Sequence, residues 1–239
     1  TNTLNNLLGR IQQTMNQMKR FIADASHELR IPLAGLRGTV EVAMRKKRSV
    51  EEYEQILDTV HLESERLSEL VASLLSLART DAGELKLEKV DVDLETFLEN
   101  VFEEAQALNA EKRVTLRHGD IPKGKAHFDE ARIHQLLINL IENAIHYNRP
   151  GGEIILSGSF KDNKLVLSVK DSGIGISQED QSKIFDRFYR VDKARSREAG
   201  GTGLGLAISR SIAEAHNGTL TVQSVVNEGS EFTLTLPLY

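Results

Sequence analysis

The chain has 239 residues, of which 40% are hydrophobic and 27% charged, with a net charge of −5 and no cysteine. This composition is globular and offers room for one or two domains, and it excludes disulfides and thiolate metal sites. The acidic balance gives no general reason to expect nucleic-acid binding. No apolar run approaches the roughly 20 residues that cross a bilayer.

Residues 4–29 have the apolar spacing of a helix that packs along a partner helix, and the apolar positions form a seam along one face. His27 lies off this seam, so its side chain is expected to point outward. Pro32 is expected to bend the helix or to release the backbone carbonyl of Glu28, one turn earlier. The apolar or small residues of the seam recur at alternating steps of four and three, at Leu4, Leu8, Ile11, Met15, Met18, Ile22, Ala25 and Leu29.

A second helix repeats this pattern after a basic turn at residues 45–48, which is typical of a solvated hairpin tip. Ser49, followed by Glu51 and Glu52, marks the beginning of the helix, because an N-cap serine and acids in the first turn stabilise a helix start. One αα-hairpin cannot bury two seams, so the sequence predicts a homodimer in which two hairpins form a four-helix bundle. The second seam consists of Tyr53, Leu57, Val60, Ser64, Leu67, Val71, Leu74 and Ala78.

Residues 79–92 break the heptads, and we expect Asp81 and Gly83 to end the helix and residues 83–92 to form a hinge. Beyond the hinge, helices are interleaved with short strands that are mainly connected as hairpins. This order predicts an α/β two-layer sandwich over residues 93–239, not a Rossmann unit, after a helical domain over residues 17–82. The predicted helices are 93–111, 129–147 and 204–215, and the predicted strands are 114–117, 125–128, 153–160, 164–170, 219–225 and 231–236.

Two short motifs in this second domain suit a nucleotide. Asn139 and Asn143 share one face of a helix, and amide oxygens are suitable ligands for Mg²⁺ that already carries phosphate oxygens. Asp171 follows a strand and precedes Gly173 and Gly175, so its carboxylate could accept from an exocyclic amine such as that of adenine. Taken singly, each motif has a plainer interpretation as a polar helix face or a strand-ending turn.

A glycine-rich stretch at residues 200–205 opens a helix, and exposed N–H groups at such a start form an anion site. The stretch lacks the context of a dinucleotide fingerprint and the lysine of a P-loop. The polar segment before it is typical of a lid or of a solvated loop. Its cations Lys193, Arg195 and Arg197 could offset the charge of residues 81–239, which carry 19 basic and 25 acidic side chains.

In combination and in this order, the motifs resemble those of the sensor histidine kinases of bacterial two-component systems, over about residues 17–239. His27-Glu28-Leu29-Arg30 resembles the phospho-acceptor box, and Asn139 and Asn143 resemble the N box. The two glycine boxes correspond to Asp171/Gly173/Gly175 and Gly201/Gly203/Gly205, with residues 185–190 between them as the F box. The resemblance implies a dimeric helical hairpin followed by a Bergerat-type (GHKL) ATP-binding domain.

The resemblance also implies that His27 takes the γ-phosphoryl group of ATP and passes it to an aspartate in the receiver domain of a response regulator. Glu28 would accept the second ring proton, and Mg²⁺ would be held by Asn143 and Asn139. Residues 1–16 would continue a signalling helix, making the chain the cytoplasmic part of a bacterial inner-membrane protein that meets the membrane only upstream. The implied nucleotide-binding residues are Asn139, Asn143, His146, Tyr147, Asp171, Gly173, Gly175, Lys193, Arg195, Arg197, Gly201, Thr202, Gly203, Leu204 and Gly205.

Two positions depart from the family pattern. Ile31, one turn after His27, stands where the family usually has a Thr or Asn that orients water for dephosphorylation of the regulator. Isoleucine cannot hydrogen-bond, so we expect a kinase with weak phosphatase activity. His146 stands where the family often has a Lys or Arg that reaches the phosphates, and a histidine changes its charge around neutral pH.

Two other functions remain open at this point. The first is an ATPase of the gyrase and heat-shock chaperone kind, with Glu142 near the position of the carboxylate that activates water. The second is a non-catalytic dimeric scaffold with a vestigial ATP site. The His27 hairpin argues against the ATPase, and the retained Asn143, Asp171 and glycines argue against the scaffold.

Overall fold

The structure is a computed structural model, and it describes residues 2–81, 86–109, 114–191 and 202–238. The chain divides into two compact units, Thr1–Leu75 and Ser76–Tyr239. Helix α1 (Asn2–Met44) and most of helix α2 (Val50–Asp81) form the first unit, and residues 76–81 of α2 belong to the second. Among the described residues, no helix is long and apolar enough to cross a membrane.

The turn between α1 and α2 is fixed by a reciprocal cap. The Ser49 backbone N–H donates to Glu52 Oε2 (3.0 Å) and the Glu52 backbone N–H donates to Ser49 Oγ (3.2 Å), which is a capping box. Arg48 closes the turn from the other side by donating from Nη2 to the Val42 carbonyl (3.2 Å). The predicted helical hairpin is therefore confirmed, with its second helix starting one residue after the predicted cap.

Helix α1 continues through Pro32, which is half-buried. Because proline has no N–H, it cannot supply the donor that the Glu28 carbonyl would receive from an ordinary residue at this position. The missing backbone hydrogen bond is therefore at Glu28, next to His27, as the sequence predicts. The helix itself is not interrupted.

Some apolar side chains of the hairpin are half-buried and others are exposed. Each predicted seam contains residues of both kinds. Ala25, Leu29, Val60, Leu67 and Leu74 are half-buried, as members of a packed seam should be. Leu4, Leu8 and Ile11 belong to the predicted seam but lie outside the described side chains. The exposed apolar set includes Met15, Met18, Ile22, Leu33, Val40, Tyr53, Leu57, Val71 and Leu75.

The second unit contains a five-stranded sheet with the order β2-β4-β5-β7-β6 and a two-stranded sheet that pairs β1 with β3. Strands β2 and β4 are parallel, and the remaining pairs are antiparallel. The register pairs Asp171, the last residue of β5, with Ile154 of β4 and Ser230 of β7. The strands are β1 (Val90–Asp93), β2 (Thr115–His118), β3 (Lys125–Phe128), β4 (Glu153–Lys161), β5 (Lys164–Asp171), β6 (Thr219–Val225) and β7 (Gly229–Pro237).

Helices α3 (Leu94–Leu108), α4 (Glu130–His146) and α6 (Gly205–Ala215) cover one face of the larger sheet, and α5 (Gln178–Gln181) is a single turn. Helix α4 contacts α3, α6 and β5, so it lies at the centre of the helical layer. This arrangement confirms the predicted two-layer α/β sandwich. Its core includes Phe97, Leu98, Val101, Ile133, Leu136, Leu140, Ile154, Leu156, Leu165, Leu167, Ile212, Phe232 and Leu234.

Two of the elements that the structure describes were not predicted. Strand β1 takes up Val90, Asp91 and Val92 from the predicted hinge, because these residues pair with β3. The short helix α5 begins after Ser177, whose hydroxyl accepts from the Asp180 backbone N–H (3.3 Å). Helix α3 also ends at Leu108, before the predicted residue 111. Gly83 lies outside the described residues.

Candidate functional site

Asp171 is a buried carboxylate at the end of β5, with an exposed fraction of 8%. Its Oδ1 atom accepts from the backbone N–H groups of Gly173 (2.8 Å) and Ser230 (3.2 Å). Burial raises the pKa of Asp171, and these two hydrogen bonds oppose the rise. Because both bonds use Oδ1, the orientation leaves Oδ2 to accept from a ligand.

The glycine loop after Asp171 is held between the end of α4 and the β6–β7 turn. The Ile174 backbone N–H donates to the Tyr147 carbonyl (3.1 Å), and the Asn227 N–H donates to the Ile174 carbonyl (2.8 Å). Gly175 has φ +68°, and a Cβ on it would collide with the Val225 carbonyl. Backbone packing therefore requires a glycine at this position.

The two asparagines of α4 make different contacts. Asn143 Nδ2 donates to the Asn139 carbonyl (2.9 Å), so its amide oxygen is the atom that remains for a ligand. Asn139 Nδ2 donates to Ser209 Oγ on α6 (2.7 Å), and Ser209 is buried. A Cβ on Gly205 would lie 2.9 Å from Asn139 Cγ. Asn139 therefore attaches α4 to the beginning of α6.

The beginning of α6 has no side-chain cap, since Leu204 occupies the N-cap position without such a bond. Uncapped N–H groups in a first helical turn can bind an anion. The Leu204 N–H donates to Thr202 Oγ1 (3.3 Å), and the Phe188 N–H donates to the Gly203 carbonyl (2.8 Å). The F box thus meets the second glycine box. The predicted contributors Lys193, Arg195, Arg197 and Gly201 lie outside the described residues.

The F box is also attached to the body of the domain. Tyr189 donates its hydroxyl hydrogen to Asp180 Oδ1 (2.6 Å), an interaction that raises the pKa of Tyr189 and lowers that of Asp180. Phe185 contacts Phe232 edge to face, with ring centroids 6.4 Å apart. Arg210 Cζ lies 5.9 Å from the Phe185 ring centroid.

His146 and Tyr147 end α4 beside the Asp171 loop. Their rings are perpendicular, with centroids 4.7 Å apart, and both residues are half-buried. The Tyr147 carbonyl accepts from the Ile174 N–H of that loop. The structure thus brings Asn139, Asn143, His146, Tyr147 and the Asp171 loop together around one helix.

His27 lies in the first unit, and its side chain is 62% exposed, as its position off the seam predicts. The Nδ1 atom lies 3.7 Å from Glu28 Oε1. Ile31, one helical turn further on, is 41% exposed. His27, the predicted phospho-acceptor, is therefore accessible. The Glu28 carboxylate lies beside its Nδ1 atom, and the apolar side chain of Ile31 lies on the same helix face.

Among the described residues of the second unit, Ser209, Ser230 and Arg149 also hold this site and were not predicted from the sequence. Ser209 could have been found from helical spacing, because it follows Gly205 by one turn and lies on the same inner face of α6. Ser230 contributes a backbone N–H, which no side-chain motif can reveal. Arg149 donates from Nη2 to the carbonyls of Gly173 (3.1 Å) and Asn227, and it carried no motif signal.

Comparisons with known proteins agree with this arrangement. A family model described as histidine kinase-, DNA gyrase B- and HSP90-like ATPase matches residues 128–239. One described as the His Kinase A (phospho-acceptor) domain matches residues 17–83. The second unit therefore carries an ATPase domain of the class shared by histidine kinases, gyrase B and HSP90.

The sensor histidine kinase RppB of Synechocystis is 39% identical over 234 residues, which are 96% of this chain and 51% of RppB. The structure of the Acinetobacter baumannii histidine kinase AdeS has a TM-score of 0.72 and 27% identity, covering 89% of this chain and 98% of AdeS. Full-length ShkA in complex with AMPPNP has a TM-score of 0.68 and 26% identity, covering 92% of this chain and 46% of ShkA. The chain belongs to the sensor histidine kinase family, and it spans about half the length of RppB.

Proposed function

We propose that the chain is an ATP-dependent protein-histidine kinase that phosphorylates His27 and then transfers the phosphoryl group to an aspartate of a response regulator. The observation that carries the proposal is the exposed His27 beside Glu28 on the same chain as a built nucleotide site around Asp171. The ATPase family match and the AMPPNP complex of ShkA support ATP as the nucleotide. The domain limits 17–82, 83–92 and 93–239 and the membrane-anchored parent stay predictions.

The geometry at His27 favours Nε2 as the nucleophile, because Nδ1 faces the Glu28 carboxylate at 3.7 Å. In the proposed step, the Nε2 lone pair forms a bond to the γ-phosphorus while the bond to the bridging oxygen breaks, and ADP leaves. The Glu28 carboxylate takes the Nδ1 proton as the ring becomes positive. A distance of 3.7 Å exceeds a hydrogen bond, so Glu28 has to approach Nδ1 when the nucleotide is bound.

In the nucleotide site, we assign recognition of the adenine amine to Asp171 Oδ2 and phosphate binding to the first turn of α6. Asn143 is the better metal ligand, because the amide oxygen of Asn139 packs against Gly205, where a Cβ would collide with it. In the described part of the chain, no group of three or more His, Asp or Glu could hold a metal, which suits an ion that arrives with phosphate oxygens. When bound, Mg²⁺ neutralises the phosphate charge.

Incubation with γ-labelled ATP and Mg²⁺ tests the reaction. An acid-labile, base-stable label on the protein that disappears in His27→Gln is the expected result. His61→Gln is the matched control, because His61 is also exposed, on α2, and its Nε2 atom lies 3.5 Å from Glu65 Oε1. Free phosphate without labelled protein would instead support the ATPase, and neither product would support the scaffold.

We further propose a homodimer and weak phosphatase activity. The dimer follows from the exposed apolar set of the hairpin, which includes Ile22 (57%) and Leu57 (64%); a second hairpin would cover such residues. The weak phosphatase activity follows from Ile31, which cannot hold a water molecule beside the phosphorylated site.

A further inference from the structure

Arg149 joins two separate backbone segments next to Asp171. Its Nη2 atom donates to the carbonyl of Gly173, 24 residues away in sequence, at 3.1 Å. The same atom donates to the carbonyl of Asn227, 78 residues away. The first acceptor lies in the glycine loop after β5, and the second lies in the turn between β6 and β7.

The base of the Arg149 side chain is itself fixed. Its backbone N–H donates to Asn148 Oδ1 (3.0 Å), and its carbonyl accepts from the Gly152 N–H (2.9 Å). These bonds form the turn that leads from α4 into β4. The guanidinium group is therefore presented from a defined position, although the residue as a whole is exposed.

The two segments that Arg149 joins are the two that orient Asp171. Gly173 in the loop and Ser230 after the turn both donate to Asp171 Oδ1. A direct bond between Asn227 N–H and the Ile174 carbonyl also connects them. A shift of either segment would turn the carboxylate away from the position in which Oδ2 can meet a ligand.

We propose that Arg149 is a positioning residue for nucleotide binding: it holds the glycine loop and the β6–β7 turn together and thereby keeps Asp171 in its binding orientation. This inference rests on the proposed assignment of Asp171 to adenine. Arg149 does not have to touch the nucleotide. Its bonds are charge-assisted and go to main-chain carbonyls, whereas an ordinary surface arginine pairs with a carboxylate and contributes little.

The test measures ADP binding to the whole chain by calorimetry, for wild type, Arg149→Met, Arg149→Lys and the control Arg132→Met. Methionine keeps the alkyl chain without donors, and lysine restores a cationic donor. Arg132 lies in the first turn of α4, at the other end of that helix, and its Nη1 donates to the Gln135 side chain (3.3 Å). We expect the dissociation constant to rise about 3- to 30-fold in Arg149→Met, to recover partly in Arg149→Lys and to stay constant in Arg132→Met.

Autophosphorylation kinetics distinguish positioning from catalysis and from general stability. We expect Arg149→Met to raise the KM for ATP and to leave kcat at saturating ATP unchanged. If binding falls only together with a large fall in Tm, and Arg149→Lys does not restore it, Arg149 is merely structural and the inference fails.

A double-mutant cycle tests whether Arg149 acts through Asp171. In the background Asp171→Asn, the change Arg149→Met should weaken ADP binding by a smaller factor than in wild type, because the group being positioned has already been altered. An equal factor in both backgrounds overturns the inference. Wild-type chain that does not bind ADP refutes the proposed function itself, whereas wild-type binding with unchanged affinity in Arg149→Met refutes only the role of Arg149.

Discussion

The substitution Asp171→Asn should separate nucleotide binding from stability. The asparagine Oδ1 can still accept from Gly173 and Ser230, but its second atom becomes an NH₂ donor that faces the donor amine of adenine. A hydrogen bond to a charged group contributes about 1.5–3 kcal/mol, so the affinity for ADP or ATP should fall about 10- to 100-fold.

The same change should leave the stability intact or increase it. Burial raises the pKa of Asp171 above its ordinary value of 3.8, so the folded state holds this proton more tightly than the unfolded state does. Stability is consequently lost as the pH rises through that raised pKa, and at pH 7 the buried charge is a cost. Asparagine removes the charge, and the cost with it.

Calorimetric titration with ADP and thermal unfolding at pH 7 measure the two effects. Asp162→Asn is the matched control, because Asp162 lies in the turn at the other end of β5 with φ 49°, a conformation that asparagine tolerates. An affinity of Asp171→Asn within about threefold of wild type, or a marked fall in Tm without loss of binding, would refute the assignment of Asp171.

Three further outcomes are expected. Ile31→Thr should speed loss of label from a phosphorylated receiver domain by about tenfold or more, whereas Val42→Thr on the same helix should not; equal rates contradict the role of Ile31. Leu57→Glu should convert a dimer to a monomer in light scattering, and an unchanged mass would place the interface elsewhere. Burial lowers the pKa of His216, whose ring accepts from the Asp129 N–H (3.1 Å), so the folded state binds fewer protons. The free energy of unfolding should therefore fall as the pH drops from about 6.5 towards the lowered pKa of His216. The fall should be larger in wild type than in His216→Gln. Parallel pH profiles of the two proteins would contradict this expectation.

Elements with local signals were predictable from the sequence. Helix α4 begins after Asp129, whose carboxylate accepts from the Arg132 N–H (3.1 Å), and it ends at His146, within one residue of the predicted end. The β4–β5 turn has Asp162 and Asn163 at positive φ, where these residue types are favoured. In both cases the determining contacts lie within a few residues along the chain.

Elements that depend on distant partners were not predictable. Strand β1 has four residues, two of them acidic, and it exists because β3 pairs with it. The contacts that shape the site have the same character: Asn139 and Ser209 are 70 residues apart, and Asp171 and Ser230 are 59 residues apart. Residue spacing along one helix or strand cannot predict such pairs, because the two partners lie on different elements.

The two asparagines of α4 show what a shared helix face does and does not imply. Their spacing predicts that both amides point the same way, which indicates a common role as metal ligands. The position of α6 separates the roles, because Asn139 lies against Gly205 and Ser209 and its amide is already bonded there. Gly205, which the motif associates with phosphate, is thus also required by Asn139, since a side chain on it would collide with that amide. The glycine box and the N box are therefore one packed unit, in which Asn139 places the first turn of α6 and Asn143 keeps an oxygen for the ligand.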